Sequence, residues 1–339
     1  MDDWTAPGAY DVAPGVFRIP LPLPNDGLRA VNVYVIETDD GLVLVDAGWA
    51  LDESRHLLSD GLKEIGGHLG DIRRFLVTHV HRDHYTQAVA IRRDFGSRVS
   101  LGAEEKGTLD LVQQPGTGAF THQMTVLRRN GADELAATIE AFAKAAVQDG
   151  NDDRSDWADR DDWLTAGPLS LAGGRVLDVV DTPGHTTGHV VFHDTDAALL
   201  FAGDHVLPTI TPSIGFEPRP TQNPLGAFLQ SLSVVRSRPD ALLLPAHGPV
   251  APSAHARVDE LTAHHGTRLD QCLAGVKSGA TTAAQIAAIL TWTRRERTLA
   301  ELDPFNAMLA VSETGAHLEL LAVQGRITVT EDDGVLHYS

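Results

Sequence analysis

The segment Thr78-His79-Val80-His81-Arg82-Asp83-His84 places three imidazoles and a carboxylate within six residues. Imidazole and carboxylate suit zinc, iron or manganese, and so many polar groups cannot be packed as ordinary core. The run Arg74–Thr78, with its Phe75-Leu76-Val77 centre, reads as a buried strand. A helix is expected from Thr86 to Phe95, so the motif lies where a strand gives way to a helix. In α/β sheets that is where sites form, at the carboxyl ends of strands. Three later segments repeat the context of a strand-like run ending in a ligand-type residue. Val179–Gly184 leads to His185, Leu199–Gly203 to Asp204, and Leu242–Ala246 to His247. Each carries Gly or Pro beside the candidate, which lets the backbone turn sharply toward a shared point.

Taken together, His79-x-His81-x-Asp83-His84, His185 in Thr-Pro-Gly-His, Asp204 in Ala-Gly-Asp and His247 in Pro-Ala-His-Gly resemble the ligand set of the metallo-β-lactamase superfamily. Asp46, in Val-Leu-Val-Asp-Ala-Gly, resembles that family's early strand-end aspartate. The resemblance spans roughly residues 15 to 250 and implies an α/β fold, the αββα sandwich, with a dinuclear metal site at one edge. It implies that His79, His81 and His185 hold one metal, that Asp83, His84 and His247 hold the second, and that Asp204 bridges both. Asp46 would accept an N–H from a ligand imidazole and fix its ring. Two divalent metals so held would share a water and lower its pKa toward neutrality, and the resulting hydroxide would attack an electrophilic carbon or phosphorus. Asp83 and Asp204 are the catalytic carboxylates of this reading, with Asp83 orienting the nucleophile and passing on its proton. A thiolate-free N/O ligand set favours zinc, with iron or manganese as alternatives.

Four neighbours of the motifs remain open between structural and substrate-contacting roles. Asp46 is the first of them. His189 follows His185 by four residues, His205 follows Asp204, and Tyr85 follows His84 at the expected helix start. Cys272, the single cysteine, excludes an internal disulfide framework and a cysteine-rich zinc module; it is expected to pack in a helix. Seven ligand-type residues without Cys also argue against a purely structural metal in a binding module.

The elements that must position these residues follow in order. Val16–Leu23, Val31–Ile36 and Leu42–Val45 read as antiparallel strands, punctuated by Asn25-Asp26-Gly27 and Asp39-Asp40-Gly41. Leu51–Ile65 reads as a helix and Arg98–Leu101 as a strand, so strand, helix and strand form a βαβ unit around the motif. Gln113–Gly118 is a turn-rich break and Ala132–Val147 a helix. Asp149–Asp162, with seven Asp against two Arg, reads as a solvated loop. Strands resume at Arg175–Val180, Val190–His193 and Ala198–Phe201, then a helix at Leu225–Val235 and a buried strand at Ala241–Leu244. After Pro249 helices are expected at Val258–Val276, Ala283–Leu290 and Ala307–Val323, then a hairpin around Asp332-Asp333-Gly334. This divides the chain into a catalytic unit, 1–250, and a winged-helix-like unit, 251–339. The latter resembles the appendage of glyoxalase-II-like and β-lactamase-like hydrolases.

The 339 residues are 42% hydrophobic and carry a formal net charge of −19, with 16 histidines. Such acidity disfavours nucleic acid, whose affinity comes from clustered Lys and Arg. Residues 251–339 hold seven basic against eleven acidic side chains, and Ala307–Val323 has no Lys or Arg. The resemblance to glyoxalase-II-like members implies instead a small-molecule substrate with an acyl bond: thioester, ester or lactone. The alternatives are a phosphodiesterase or endoribonuclease of the same fold, and a mononuclear-iron persulfide dioxygenase using His79, His185 and Asp204. Gly248-Pro249-Val250-Ala251-Pro252 lacks the basic residues with which glyoxalase II holds glutathione. The acidic start, Met1-Asp2-Asp3-Trp4, does not read as a signal peptide, and no apolar run reaches the roughly 20 residues a membrane span needs. A cytoplasmic protein is expected, with no membrane partner and a homo-oligomer through the C-terminal unit as an option.

Overall fold

We describe the fold from a computed structural model, for residues 3–24, 27–114, 120–148, 155–157, 160–219 and 221–339. In chain order the elements are β1 (Tyr10–Ala13), β2 (Val16–Pro22), β3 (Ala30–Thr38), β4 (Gly41–Val45), α1 (Asp52–Glu64), β5 (Ile72–Val77), α2 (Arg82–Phe95), β6 (Arg98–Gly102), α3 (Lys106–Gln113), α4 (Thr121–Arg129) and α5 (Asp133–Gln148). They continue with β7 (Asp162–Leu164), β8 (Gly167–Ser170), β9 (Val176–Asp181), β10 (Val190–Asp194), β11 (Leu199–Gly203), α6 (Pro224–Ser237), β12 (Leu242–Pro245), α7 (Ala254–Lys277), α8 (Ala283–Ile289), α9 (Pro304–Val323), β13 (Val329–Asp332) and β14 (Val335–Tyr338). The Asn25-Asp26 turn, residues 115–118 of the expected break and residues 149–154, 158 and 159 of the acidic stretch lie outside the described residues.

Strands that are apolar at consecutive positions must be covered on both faces. Here β1 to β7 form one sheet in sequence order, antiparallel from β1 to β4 and parallel from β4 to β7. A second sheet runs β12-β11-β10-β9-β8, antiparallel except for the parallel pair β11 and β12. Alternate residues of the first sheet go to opposite sides. Tyr34, Ile36, Val43 and Val45 pack against Leu177, Phe192 and Phe201 of the second sheet. Val33, Val35, Leu42 and Leu44 face Leu58 and Leu62 of α1 and Ala88 and Ile91 of α2. The outer face of the second sheet, through Val180, Val191, Leu200 and Leu243, packs on Leu225, Phe228 and Leu232 of α6. The expected αββα sandwich is the fold.

The helices after Pro249 do not form a separate core. Val258, Leu261, Cys272, Val311 and Leu321 belong to the same apolar cluster as Phe228 and Val191. The hairpin of β13 and β14 turns through Asp333 (φ +47°) and Gly334 (φ +78°), the left-handed pair that a tight two-residue turn requires. Among the described residues no helix is long and apolar enough to cross a membrane.

The structure differs from the sequence expectation at α2. The helix begins at Arg82, so Asp83, His84 and Tyr85 occupy its first turns. Their polarity hides the apolar period there, while Asp83 complements the positive end of the helix dipole. Short or edge elements, α3, α4, β1 and β8, were also outside the expectation; each is too short or too polar to show a period.

Candidate metal centre

Each motif stands at the carboxyl end of a strand. Asp46 follows β4, Thr78 and His79 follow β5, His185 lies on the turn after β9, Asp204 follows β11 and His247 follows β12. Val190 N–H donates to Thr78 O at 2.9 Å and Ala246 N–H to Gly203 O at 3.1 Å, which ties these ends into one edge. Asn32 and Tyr34, at the centre of β3, both donate to Pro245 O and hold the His247 turn down. Gly203 has φ +50°, and a Cβ there would lie 2.7 Å from Thr78 and 2.8 Å from His189, so glycine is required before Asp204.

Two groups converge on this edge. His79, His81, His185 and Asp204 present ligand atoms within 4.8 Å of one another, and so do Asp83, His84 and His247. Asp204 lies between them. Its Oδ2 is 3.4 Å from His185 Nε2 and 4.0 Å from His79 Nε2. Its Oδ1 is 3.2 Å from His247 Nε2 and 3.6 Å from His84 Nε2. Asp83 Oδ2 closes the second group, 3.4 Å from His247 Nε2 and 3.6 Å from His84 Nε2.

Outer hydrogen bonds set which ring nitrogen carries a lone pair. His84 Nδ1–H donates to Asp46 Oδ2 at 2.9 Å, His185 Nδ1–H to Ser213 O at 2.8 Å and His247 Nδ1–H to Ala30 O at 2.8 Å. Thr78 donates its hydroxyl to Asp46 Oδ1 and accepts from His79 Nδ1 at 3.1 Å. In all four rings Nε2 is thus the basic atom and faces inward. His185 Nε2 also sits 3.2 Å from His81 Nδ1 and, with its own Nδ1–H committed to Ser213 O, accepts from it. Asp46 adopts φ +60°, a strained left-handed conformation for a non-glycine residue, and it bonds both Thr78 and His84.

Electrostatics follow from burial and these contacts. Burial pushes His79 well below its ordinary range, reinforced by His84 and His81. Burial and His185 bring His81 to about 3. Burial works against charge on His84, but Asp46, Asp83 and Asp204 outweigh it and raise the ring to about 10. Burial likewise opposes ionisation of Asp83, yet His84 and His247 hold its carboxyl well below the usual range. Nε2 of His79 and His84 and Oδ1 of Asp204 are buried without a hydrogen-bond partner. Such orphaned atoms are costly unless something fills the space between them. A divalent cation in each group satisfies all of them, so the residues fit two metals, and their binding would displace the His84 proton.

The neighbours left open by the sequence take distinct places. His189 is wholly buried behind the ligands, accepts Asp204 N–H at Nε2 (3.2 Å) and pairs with Thr182 Oγ1 at 2.8 Å through Nδ1. His205 is wholly buried against Phe228, and burial lowers its pKa to about 3. Tyr85 is wholly buried in the α1–α2 core cluster, 6.4 Å from the Trp157 ring. Cys272 is buried in α7, and burial pushes its thiol up to about 12.

Sequence reasoning missed a buried carboxyl pair beside the centre. Glu105 accepts the Thr186 hydroxyl, and Glu217 accepts those of Thr108 (2.5 Å) and Thr187 (2.8 Å). Burial raises both carboxyls. The only sequence signal was the Thr186-Thr187 pair after His185. A third ligand-type group, His264, His265 and Glu313, meets between α7 and α9. Arg268 acts on both His265 and Glu313, a fixed positive charge that opposes a cation there.

The chain resembles known proteins in sequence and in fold. Residues 26–247 match the family model described as the metallo-beta-lactamase superfamily. The crystal structure of a metallo-beta-lactamase family protein from Thermus thermophilus superposes with a TM-score of 0.77 at 27% identity, covering 96% of this chain and 98% of that one. The probable metallo-hydrolase YqjP of Bacillus subtilis is 21% identical over 328 residues, 92% of each chain. A hydroxyacylglutathione hydrolase of Cereibacter sphaeroides is 27% identical over 186 residues, 53% of this chain and 52% of that protein.

Proposed function

The chain belongs to the metallo-beta-lactamase superfamily and is a hydrolase, and we propose that it uses two divalent metals, zinc by its donor set, to hydrolyse an acyl bond in a small molecule: a thioester, ester or lactone. The observation that carries this reading is the division of the Asp204 carboxylate, with one oxygen toward His185 and His79 and the other toward His247 and His84.

His79, His81 and His185 would hold one metal, Asp83, His84 and His247 the other, and Asp204 would touch both. When bound, the pair lowers the pKa of a shared water and polarises the substrate carbonyl. The chain's own contribution is positional. Asp46 and Thr78 fix His84 and His79, and His189 fixes the backbone of Asp204. Asp83, half-buried at the second group, orients the nucleophile and carries its proton to the leaving group. The thiol of a thioester substrate is not assigned to glutathione, because Gly248-Pro249-Val250-Ala251-Pro252 offers no cation after His247.

Two other readings are weaker. A persulfide dioxygenase needs only His79, His185 and Asp204, and leaves the assembled group of Asp83, His84 and His247 without purpose. An endoribonuclease is disfavoured by α9, which has no Lys or Arg. We read residues 251–339 as a winged-helix-like unit, supported by three helices followed by a hairpin, that braces the centre or forms a dimer surface. A hydrolysis panel on zinc-loaded protein tests the reading: turnover is expected among thioesters, esters and lactones. Turnover confined to a phosphodiester would overturn it.

A further inference from the structure

Of the seven ligand-type residues, only His81 and Asp83 are half-buried; the other five are buried. A substrate must therefore reach the centre from the His81–Asp83 side. The Phe216 ring stands 6.1 Å from the His81 ring, edge to face. Phe216 is one of three phenyl rings in mutual contact, 6.2 Å from Phe120 and 5.8 Å from Phe305, with Phe120 and Phe305 6.1 Å apart. The three come from separate parts of the chain: the entry to α4, the loop after β11 and the first turn of α9. Phe120 and Phe216 are half-buried, and Phe305 keeps 43% of its surface exposed.

The loop that carries Phe216 is held from several sides. Ser213 O accepts from His185 Nδ1 at 2.8 Å, Phe216 O accepts from Gln123 Nε2 at 2.6 Å, and Glu217 is bonded by Thr108 and Thr187. Gly215, with φ +84°, lies so close to α9 that a Cβ would be 3.0 Å from Ser312 O. Phe216 is thus fixed in place relative to the metal ligands, and it presents aromatic surface beside the open side of the centre.

Taking the acyl hydrolase reading as given, we propose that Phe216, Phe120 and Phe305 form the acyl-binding subsite, and that the substrate class is esters or thioesters of apolar acids, an alkyl chain or an aryl ring. Three uncharged rings reward the removal of apolar surface from water and offer nothing to a charged acyl group. Through Phe305 and the Gly215 contact, α9 becomes one wall of the substrate site, which gives the helices after Pro249 a part in selecting the substrate.

The test uses full-length zinc-loaded protein and thioesters of one thiol, N-acetylcysteamine, with acetyl, butyryl, hexanoyl, octanoyl and phenylacetyl groups. In parallel, calorimetry measures binding of the matching free acids. The expected result is a rise in kcat/KM, and tighter binding of the acid, by up to about fourfold per added methylene. Phe305→Ala and Phe216→Leu should lower kcat/KM for the octanoyl substrate about tenfold more than for the acetyl one, through KM. Phe305 is exposed, so its variant is not at risk of misfolding. A flat response to acyl length, or a response that neither variant alters, would overturn the assignment. Failure to hydrolyse any of these thioesters, or the ethyl esters and lactones of the same acids, would sink the acyl hydrolase reading instead, and the acid-binding series would still decide the subsite.

Discussion

Oδ2 of Asp46 lies 2.9 Å from Nδ1 of His84, while Oδ1 of the same carboxylate accepts the Thr78 backbone N–H at 2.8 Å. One side chain after β4 thus sets both the tautomer of a ligand imidazole and the course of the backbone that delivers His79. Asp46→Asn tolerates the left-handed backbone but can no longer take both donors. Metal affinity is expected to fall about 10- to 100-fold with the fold intact. Competition with a chromophoric chelator, alongside circular dichroism, checks this; unchanged affinity would show that Asp46 does not orient His84.

His189 supports the centre from behind, accepting the Asp204 amide N–H in a site closed to water. His189→Leu keeps the volume and leaves that amide unpaired. A stability loss of about 1–3 kcal/mol is expected, together with weaker metal retention. Thermal melts of the zinc-loaded protein measure the first and dialysis against chelator the second. A variant as stable and metal-tight as the wild type would make His189 a bystander.

Glu217 is 3% exposed, and burial lifts its carboxyl to about 7, above the ordinary 4.5. The folded state therefore binds this proton more tightly than the unfolded chain does. The resulting stabilisation is complete below the unfolded value and fades as pH rises through 7. Glu217→Gln stays neutral throughout, so its Tm should decline less than that of the wild type between about pH 5 and 8. Parallel slopes would show that Glu217 is not protonated in the folded protein.

Truncation after Pro249 should leave no cooperative fold. Val258, Leu261, Val311 and Leu321 share a cluster with Val191, Leu200 and Phe228, so their loss uncovers apolar surface of that cluster on α6. Residues 1–249 are expected to aggregate or melt without a transition. A soluble fragment with a sharp melt would show that the sandwich closes without α7 to α9.

How much of this was legible in the sequence depended on whether a feature carried a local signal. The strand-end motifs did, because each packs a ligand-type residue, a small residue and an apolar run into a few positions, as in Ala202-Gly203-Asp204. The sandwich was legible through the family that those motifs resemble, and the apolar runs of β3 and β4 by themselves gave only strands. The early start of α2 was hidden because Asp83 and His84 are chosen for chemistry rather than for helical period. The contact of Phe216 with His81 left no trace, because it joins positions far apart in the chain and phenylalanine reads as core anywhere. Glu105 and Glu217 were invisible as well; a carboxyl in sequence is charged surface until the fold buries it.

The central claim is that Asp204 serves two metals at once, and metal content per chain, measured by elemental analysis on wild type and Asp204→Ala, tests it most directly. About two zinc ions per chain in the wild type, falling toward none in the variant, is the predicted result. A single iron per chain, or a variant that keeps the full wild-type complement, would contradict it.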